Sequence, residues 1–131
     1  MTTPRRPPLL IALQTEATIL MSLAIGQAGL AAGFLGGRRG LKEIHGVNAF
    51  VIAGLTVALL VTAVLYFRRH GPRWPLIGAA ILLVVEAAQI VMGSVEIKGP
   101  HIFLGVLFTV MATLLTSYLF RPGFTAAPEA S

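Results

Sequence analysis

Residues 99–120 read GPHIFLGVLFTVMATLLTSYLF. From His101 to Phe120 this stretch holds no Asp, Glu, Lys or Arg. A helix needs about 20 predominantly apolar residues to cross the hydrocarbon of a bilayer. Gly99-Pro100 punctuates the start, and His101 stands where the apolar run begins. An earlier stretch, Glu43-Ile44-His45, opens another apolar run in the same way. Each histidine therefore lies at the N-terminal end of a long hydrophobic helix. If the two helices enter the membrane from the same side, the imidazoles share one depth. A pair of that kind can hold a metal between two helices, and heme iron is the candidate.

Working outward, the apolar runs number four. They are expected at about 9–35, 44–67, 75–95 and 101–120, preceded by a short tail, 1–8, and followed by a disordered tail, 121–131. Pro7-Pro8 and Trp74-Pro75 suit helix starts, where a missing N–H is harmless. Residues 36–40 (GGRRG), 68–73 (RRHGPR) and 96–100 (EIKGP) break the runs. Trp74 suits the interfacial belt. The expected fold is all-α, an integral-membrane four-helix bundle of two tandem helical hairpins.

Composition agrees. The chain of 131 residues is 56% hydrophobic and 11% charged, whereas a soluble domain is about a quarter charged. Cysteine is absent, which excludes disulfides, iron–sulfur clusters and CxxCH heme attachment. The formal charge of +5 sits at the ends of apolar runs, which speaks for membrane orientation and against nucleic acid. Arg5-Arg6 before an apolar run resembles a secretory signal, but residues 9–35 run about twice the length of a signal core. The first segment is read as a retained span. Arg5, Arg6, Arg68, Arg69, Arg73 and Arg121 fall on the side of the termini, against Arg38, Arg39, Lys42 and Lys98 on the other. Six against four places the termini on the cytoplasmic side of a bacterial plasma membrane, and His45 and His101 on the opposite side. His70 falls at the far end from them.

The halves echo one another. Gln27 precedes His45 as Gln89 precedes His101, and Leu59-Leu60 and Leu114-Leu115 follow at similar offsets. This fits a parallel repeat about an axis along the membrane normal. One turn below the histidines the residues are small, Ala49 and Gly105, which leaves room for a flat ring. Thr56 and Ala112 lie further down, and Ile52 and Phe108 are placed to pack on porphyrin faces. Arg38, Arg39 and Lys98 are candidate partners for heme propionates. The plain alternative is two interfacial histidines at helix starts.

The arrangement resembles one four-helix half of the heme A synthase family and, more loosely, small four-helix b-type membrane cytochromes. In that family the second and fourth helices of each half carry the histidines that ligate a heme, and His45 and His101 occupy those places. The family usually has a glutamate three residues before the first histidine. Here Glu43 stands two before, and only one half is present. The resemblance implies heme b binding, one per chain, and not heme A synthesis.

Four polar residues fall inside the spans: Glu16, Gln27, Glu86 and Gln89. An ionisable group there should face the bundle interior or a wet cavity. They suit a proton relay or a quinone head group, or else hydrogen bonds between helices. Gly26, Gly29 and Gly33 make a small-residue stripe on the first helix, for internal packing, a partner subunit or a homo-oligomer. Asn48 caps the helix start or serves the ring environment. Thr109, Thr113, Thr116 and Ser117 are expected to bond back to the backbone or across helices. No phosphate loop, acidic metal cluster or nucleophile–base pair is present. Three readings result: a bis-histidine heme protein for electron transfer, more a subunit of a respiratory complex than a stand-alone enzyme; a cofactor-free accessory subunit of a larger membrane complex; and a small transporter using Glu16 and Glu86.

Overall fold

The computed structural model describes residues 7–121. They form α1 (Pro8–Leu35), α2 (Gly40–Arg68), α3 (Trp74–Ser94) and α4 (Lys98–Leu119), with no strand among the described residues. All four helices are long and apolar enough to cross a membrane. Residues 1–6 and 122–131, which include nearly all of the expected tails, lie outside the described residues.

All four helices begin earlier than the apolar runs suggest, α1 and α3 by a single residue, α2 and α4 by about a turn, at Gly40 and Lys98. The first four N–H groups of a helix have no partner within it, so the first turn accepts residues that break a helix elsewhere. Pro100 is the third residue of α4 and forfeits no hydrogen bond there. Glu43 lies in the first turn of α2, where the positive end of the helix dipole favours a carboxylate.

The three connections end their helices in one way. After α1, Arg38 N–H bonds Gly33 O at 3.1 Å and Gly37 N–H bonds Phe34 O at 3.0 Å, with Gly37 at φ 99°. After α2, Gly71 bonds Tyr66 O at 3.0 Å and His70 bonds Phe67 O at 3.1 Å, with His70 at φ 65°. After α3, Ile97 bonds Met92 O at 3.0 Å and Glu96 bonds Gly93 O at 3.3 Å, with Glu96 at φ 58°. These are Schellman caps, which satisfy the last carbonyls and turn the chain back on itself. Glycine fills the left-handed position once. His70 and Glu96 fill it the other two times, against the steric preference of L residues.

Short connections make sequential helices antiparallel. Around the bundle α1 lies beside α2 and α4, and α3 beside α2 and α4, so α2 and α4 face each other across the diagonal. Gln14 Nε2 donates to Leu119 O at 2.8 Å, which puts the start of α1 next to the end of α4. Both ends of the described chain therefore share one end of the bundle, and the α1–α2 and α3–α4 loops share the other.

The core mixes small and large residues: Leu10, Leu13, Ala17, Leu20 and Ala24 of α1; Ile52, Leu59 and Ala63 of α2; Ala79 and Leu82 of α3; Phe108, Ala112 and Leu119 of α4. Phe50, Val84, Phe103 and Val106 point outward. A water-exposed bundle would carry polar side chains there. Several hydroxyls on the helices bond to carbonyls. Thr18, Thr109 and Thr113 each bond the carbonyl four residues back, and Thr116 bonds both Ala112 O at 2.8 Å and Ala17 O at 3.0 Å.

Candidate histidine-pair site

The two histidines meet at the loop end of the bundle. His45 lies five residues into α2 and His101 three into α4. Their ring centres are 6.1 Å apart with 71° between the planes. Both are half-buried. Antiparallel alternation explains the match in depth: α2 and α4 start at the same end, and each places its histidine near the start.

Each ring is held by the preceding helix. His101 Nδ1 bonds Gln89 O at 3.0 Å, while Gln89 Nε2 donates to His101 O at 2.6 Å. His45 Nδ1 approaches Gln27 O at 3.3 Å, while Gln27 Nε2 donates to His45 O at 2.9 Å. The same reciprocal clamp thus occurs in both hairpins, although the partners are separated by 18 residues in one and 12 in the other. A carbonyl oxygen only accepts, so each Nδ1 carries the hydrogen. In the neutral ring the lone pair is then on Nε2, the arrangement found in metal-ligating histidines whose other nitrogen is anchored to the backbone.

The distance between the rings suits one metal ion. A metal–imidazole bond of about 2 Å and a ring radius of about 1.1 Å would put two ring centres at most about 6.2 Å apart when both Nε2 atoms face one metal. The described residues contain no cluster of three or more His, Cys, Asp or Glu, so the pair lacks the further ligands of a closed protein cage. The pair would therefore hold a metal that brings its other ligands with it, as a heme does.

The surroundings add contacts that spacing alone did not give. Asn48 Nδ2 donates to Gln27 Oε1 at 2.7 Å and approaches Leu23 O at 3.3 Å. Asn48 therefore serves the histidine clamp and is not a cap. The Phe34 ring stands edge-on to His45, with centres 5.3 Å apart. Gly93, one turn beyond Gln89, lies against the His101 ring, and a Cβ there would approach its Cε1 to 3.1 Å. The repeat was the available signal for both glutamines. Phe34 and Gly93 had none, because their role depends on how the helices are rotated against each other.

The remaining site candidates are placed as follows. Ala49 and Gly105 lie one turn below the histidines and are half-buried. The space over Gly105 receives the Gln89 amide, whose Nε2 would lie 3.3 Å from a Cβ at that position. Ile52 and Phe108, 2% and 3% exposed, form the floor of the site as core residues. Arg38, Arg39 and Lys98 are exposed at the same end of the bundle. Nearby, Lys42 pairs with Glu96 at 3.6 Å in an exposed bridge. His70 sits in the α2–α3 connection at the opposite end, away from the pair.

The two interior acids differ in setting. Glu16 Oε1 accepts from Thr62 at 3.0 Å, tying α1 to α2, and its Oε2 is buried without a partner. Glu86, 5% exposed, shares the core face of α3 with Gln89 one turn away, at 7%. No described side chain bonds the Glu86 carboxyl.

Comparison with family models, with characterised proteins and with solved structures finds no match. The reading of the site rests on its own geometry.

Proposed function

We propose that this chain is an integral membrane protein that binds one heme b between His45 and His101 and passes electrons through it. The observation that carries the reading is the matched pair of clamps. Two imidazoles, 6.1 Å apart, are each fixed through Nδ1 so that Nε2 is left to ligate. Ala49 limits the bulk beside His45, whereas the space over Gly105 is taken by the Gln89 amide that clamps His101, and the half-buried end of the bundle gives the group its way in. Arg38, Arg39 and Lys98 serve the propionates. Heme supplies a one-electron couple, and the chain supplies its ligands, their orientation and an apolar floor.

The termini belong on the cytoplasmic side in this reading. Arg68, Arg69, Arg73 and Arg121 ring that end, where Arg73 lies over Trp74 at 5.9 Å and Arg121 over Tyr118 at 5.0 Å. With Arg5 and Arg6 of the tail counted, that side holds six Lys/Arg against four at the histidine end, the excess that favours the inner face of a bacterial plasma membrane. The histidine pair then lies near the outer face, in reach of quinone or of a larger respiratory complex. The role is that of an electron-transfer subunit rather than a stand-alone enzyme.

Purified protein supplemented with heme should give a reducible spectrum with a Soret band and a sharp α band. His45→Ala and His101→Ala should each remove the low-spin spectrum. No spectrum after supplementation refutes the reading.

One observation favours a cofactor-free accessory subunit instead. Gly26 and Gly29 are exposed on α1 with nothing within 4 Å of the place a Cβ would occupy. Only Gly33 of the stripe meets the bundle, at Leu41. Small residues on an outward face allow close approach of another helix. Co-purification with a larger complex, with no chromophore in this chain, would establish that reading.

A further inference from the structure

We propose that Glu86 is the proton acceptor that balances reduction of the iron held by His45 and His101. This rests on the heme reading above and gives the site a coupled reaction. Glu86 is the sole ionisable residue of α3, is 5% exposed, and has no bonded partner among the described residues. Three residues separate it from Gln89, so it lies about 4.5 Å deeper along the axis than the residue that clamps His101. Ionisable groups inside a membrane helix face the bundle interior and mark proton or ligand pathways more often than they serve packing.

The neighbouring helices supply no cation at that depth. The ionisable side chains of α2 are Lys42, Glu43, His45, Tyr66 and Arg68, and those of α4 are Lys98, His101 and Tyr118. Lys42, Glu43 and Lys98 are exposed, about a turn beyond the histidines on the loop side. Tyr66, Arg68 and Tyr118 lie toward the opposite end. Among the ionisable side chains of α2 and α4, the histidine pair lies nearest to Glu86 along the axis.

The step balances simply. A heme held by two neutral imidazoles would supply a centre of net charge +1 when oxidised and 0 when reduced. A Glu86 carboxylate offsets the oxidised charge across the low-dielectric interior. One electron from a hydroquinone-class donor, or from an electrode mediator, removes that charge. The carboxylate then stands alone and takes one proton from water at the loop end, so the interior gains one electron and one proton together. Oxidation runs the sequence backward.

The test is a potentiometric titration of the heme-loaded full chain across neutral pH. Wild type should lose potential as pH rises, approaching tenfold in the reduction equilibrium per pH unit, which is about 59 mV for one electron. Glu86→Gln should flatten this dependence while keeping the low-spin spectrum. Propionates titrate equally in both proteins, so the difference between the two profiles reads Glu86. A redox difference infrared spectrum should show a carboxyl C=O band that the Gln variant lacks. If that variant fails to load heme, Glu86→Asp should shift the band. Identical slopes in wild type and Glu86→Gln, a flat wild-type profile, or no carboxyl band overturns the proposal with the heme reading intact. A chain that takes up no heme overturns both.

Discussion

Replacing the two clamp glutamines with leucine should have unequal effects. Gln89→Leu removes one bond, Gln89 Nε2 to His101 O. That carbonyl can still accept along its own helix, and the leucine side chain would fill the space over Gly105. Side-chain hydrogen bonds between membrane helices contribute about 0.6 kcal/mol on average and up to about 1.7. A loss of about 1 kcal/mol follows. Gln27→Leu removes two bonds, to His45 O and from Asn48 Nδ2. It also leaves the Asn48 amide with Leu23 O at 3.3 Å. An under-satisfied half-buried amide adds about 1 kcal/mol, for a total of about 2–3 kcal/mol. The difference amounts to at least about fivefold in unfolded population. Denaturant titration in mild-detergent micelles, followed by circular dichroism, would read it. Both variants keep the backbone carbonyls that hold the Nδ1 atoms, so heme loading should survive in each. In the Gln27→Leu background, Asn48→Leu should lose less than in wild type, with a coupling of at least about 0.5 kcal/mol. Equal losses, a larger loss for Gln89→Leu, or no coupling to Asn48 would refute the unequal clamps.

Other outcomes follow from particular positions. Glu96→Gly should stabilise by about 1 kcal/mol, since a left-handed backbone disfavours every residue but glycine and the exposed Lys42 bridge it removes is worth little; thermal unfolding in detergent reads this. Gly93→Val should weaken heme binding about tenfold or more, because even its Cβ would press on the His101 ring at 3.1 Å and 1.4 kcal/mol of misplacement is a factor of about 10; hemin titration reads this. Gly26→Leu and Gly29→Leu should not destabilise the isolated chain, since nothing lies within 4 Å of either Cβ position and leucine favours a helix over glycine by up to about 1 kcal/mol. A change of oligomeric state in either variant would point to a docking face.

Much of the bundle was legible before any coordinates. Four apolar runs separated by glycine, proline and arginine leave few ways to satisfy backbone polar groups in lipid. The starts of α2 and α4 were read late because apolarity marks where hydrocarbon begins, whereas a helix can begin a turn earlier in polar residues. The histidines were legible through their places in two echoing hairpins. Gln27 and Gln89 were visible as part of that echo, but their bonds to the histidines were not. Loops of different length change the sequence separation from 18 to 12 while the spatial relation stays the same. Asn48 looked equally suited to capping, and the rotation of α2 against α1 decided the matter. Glu86 and Gln89 were legible as one face of one helix, whereas the Thr62 partner of Glu16 belongs to another helix and no local pattern announces it.

Electron paramagnetic resonance of the ferric, heme-loaded protein goes to the centre of the reading. Two imidazoles anchored through Nδ1 with planes 71° apart should give a low-spin signal of the strongly rotated, highly anisotropic kind, lost in His45→Ala and in His101→Ala alike. A high-spin signal in the unaltered chain, or a low-spin signal that survives loss of either histidine, would mean that these two side chains do not share an iron.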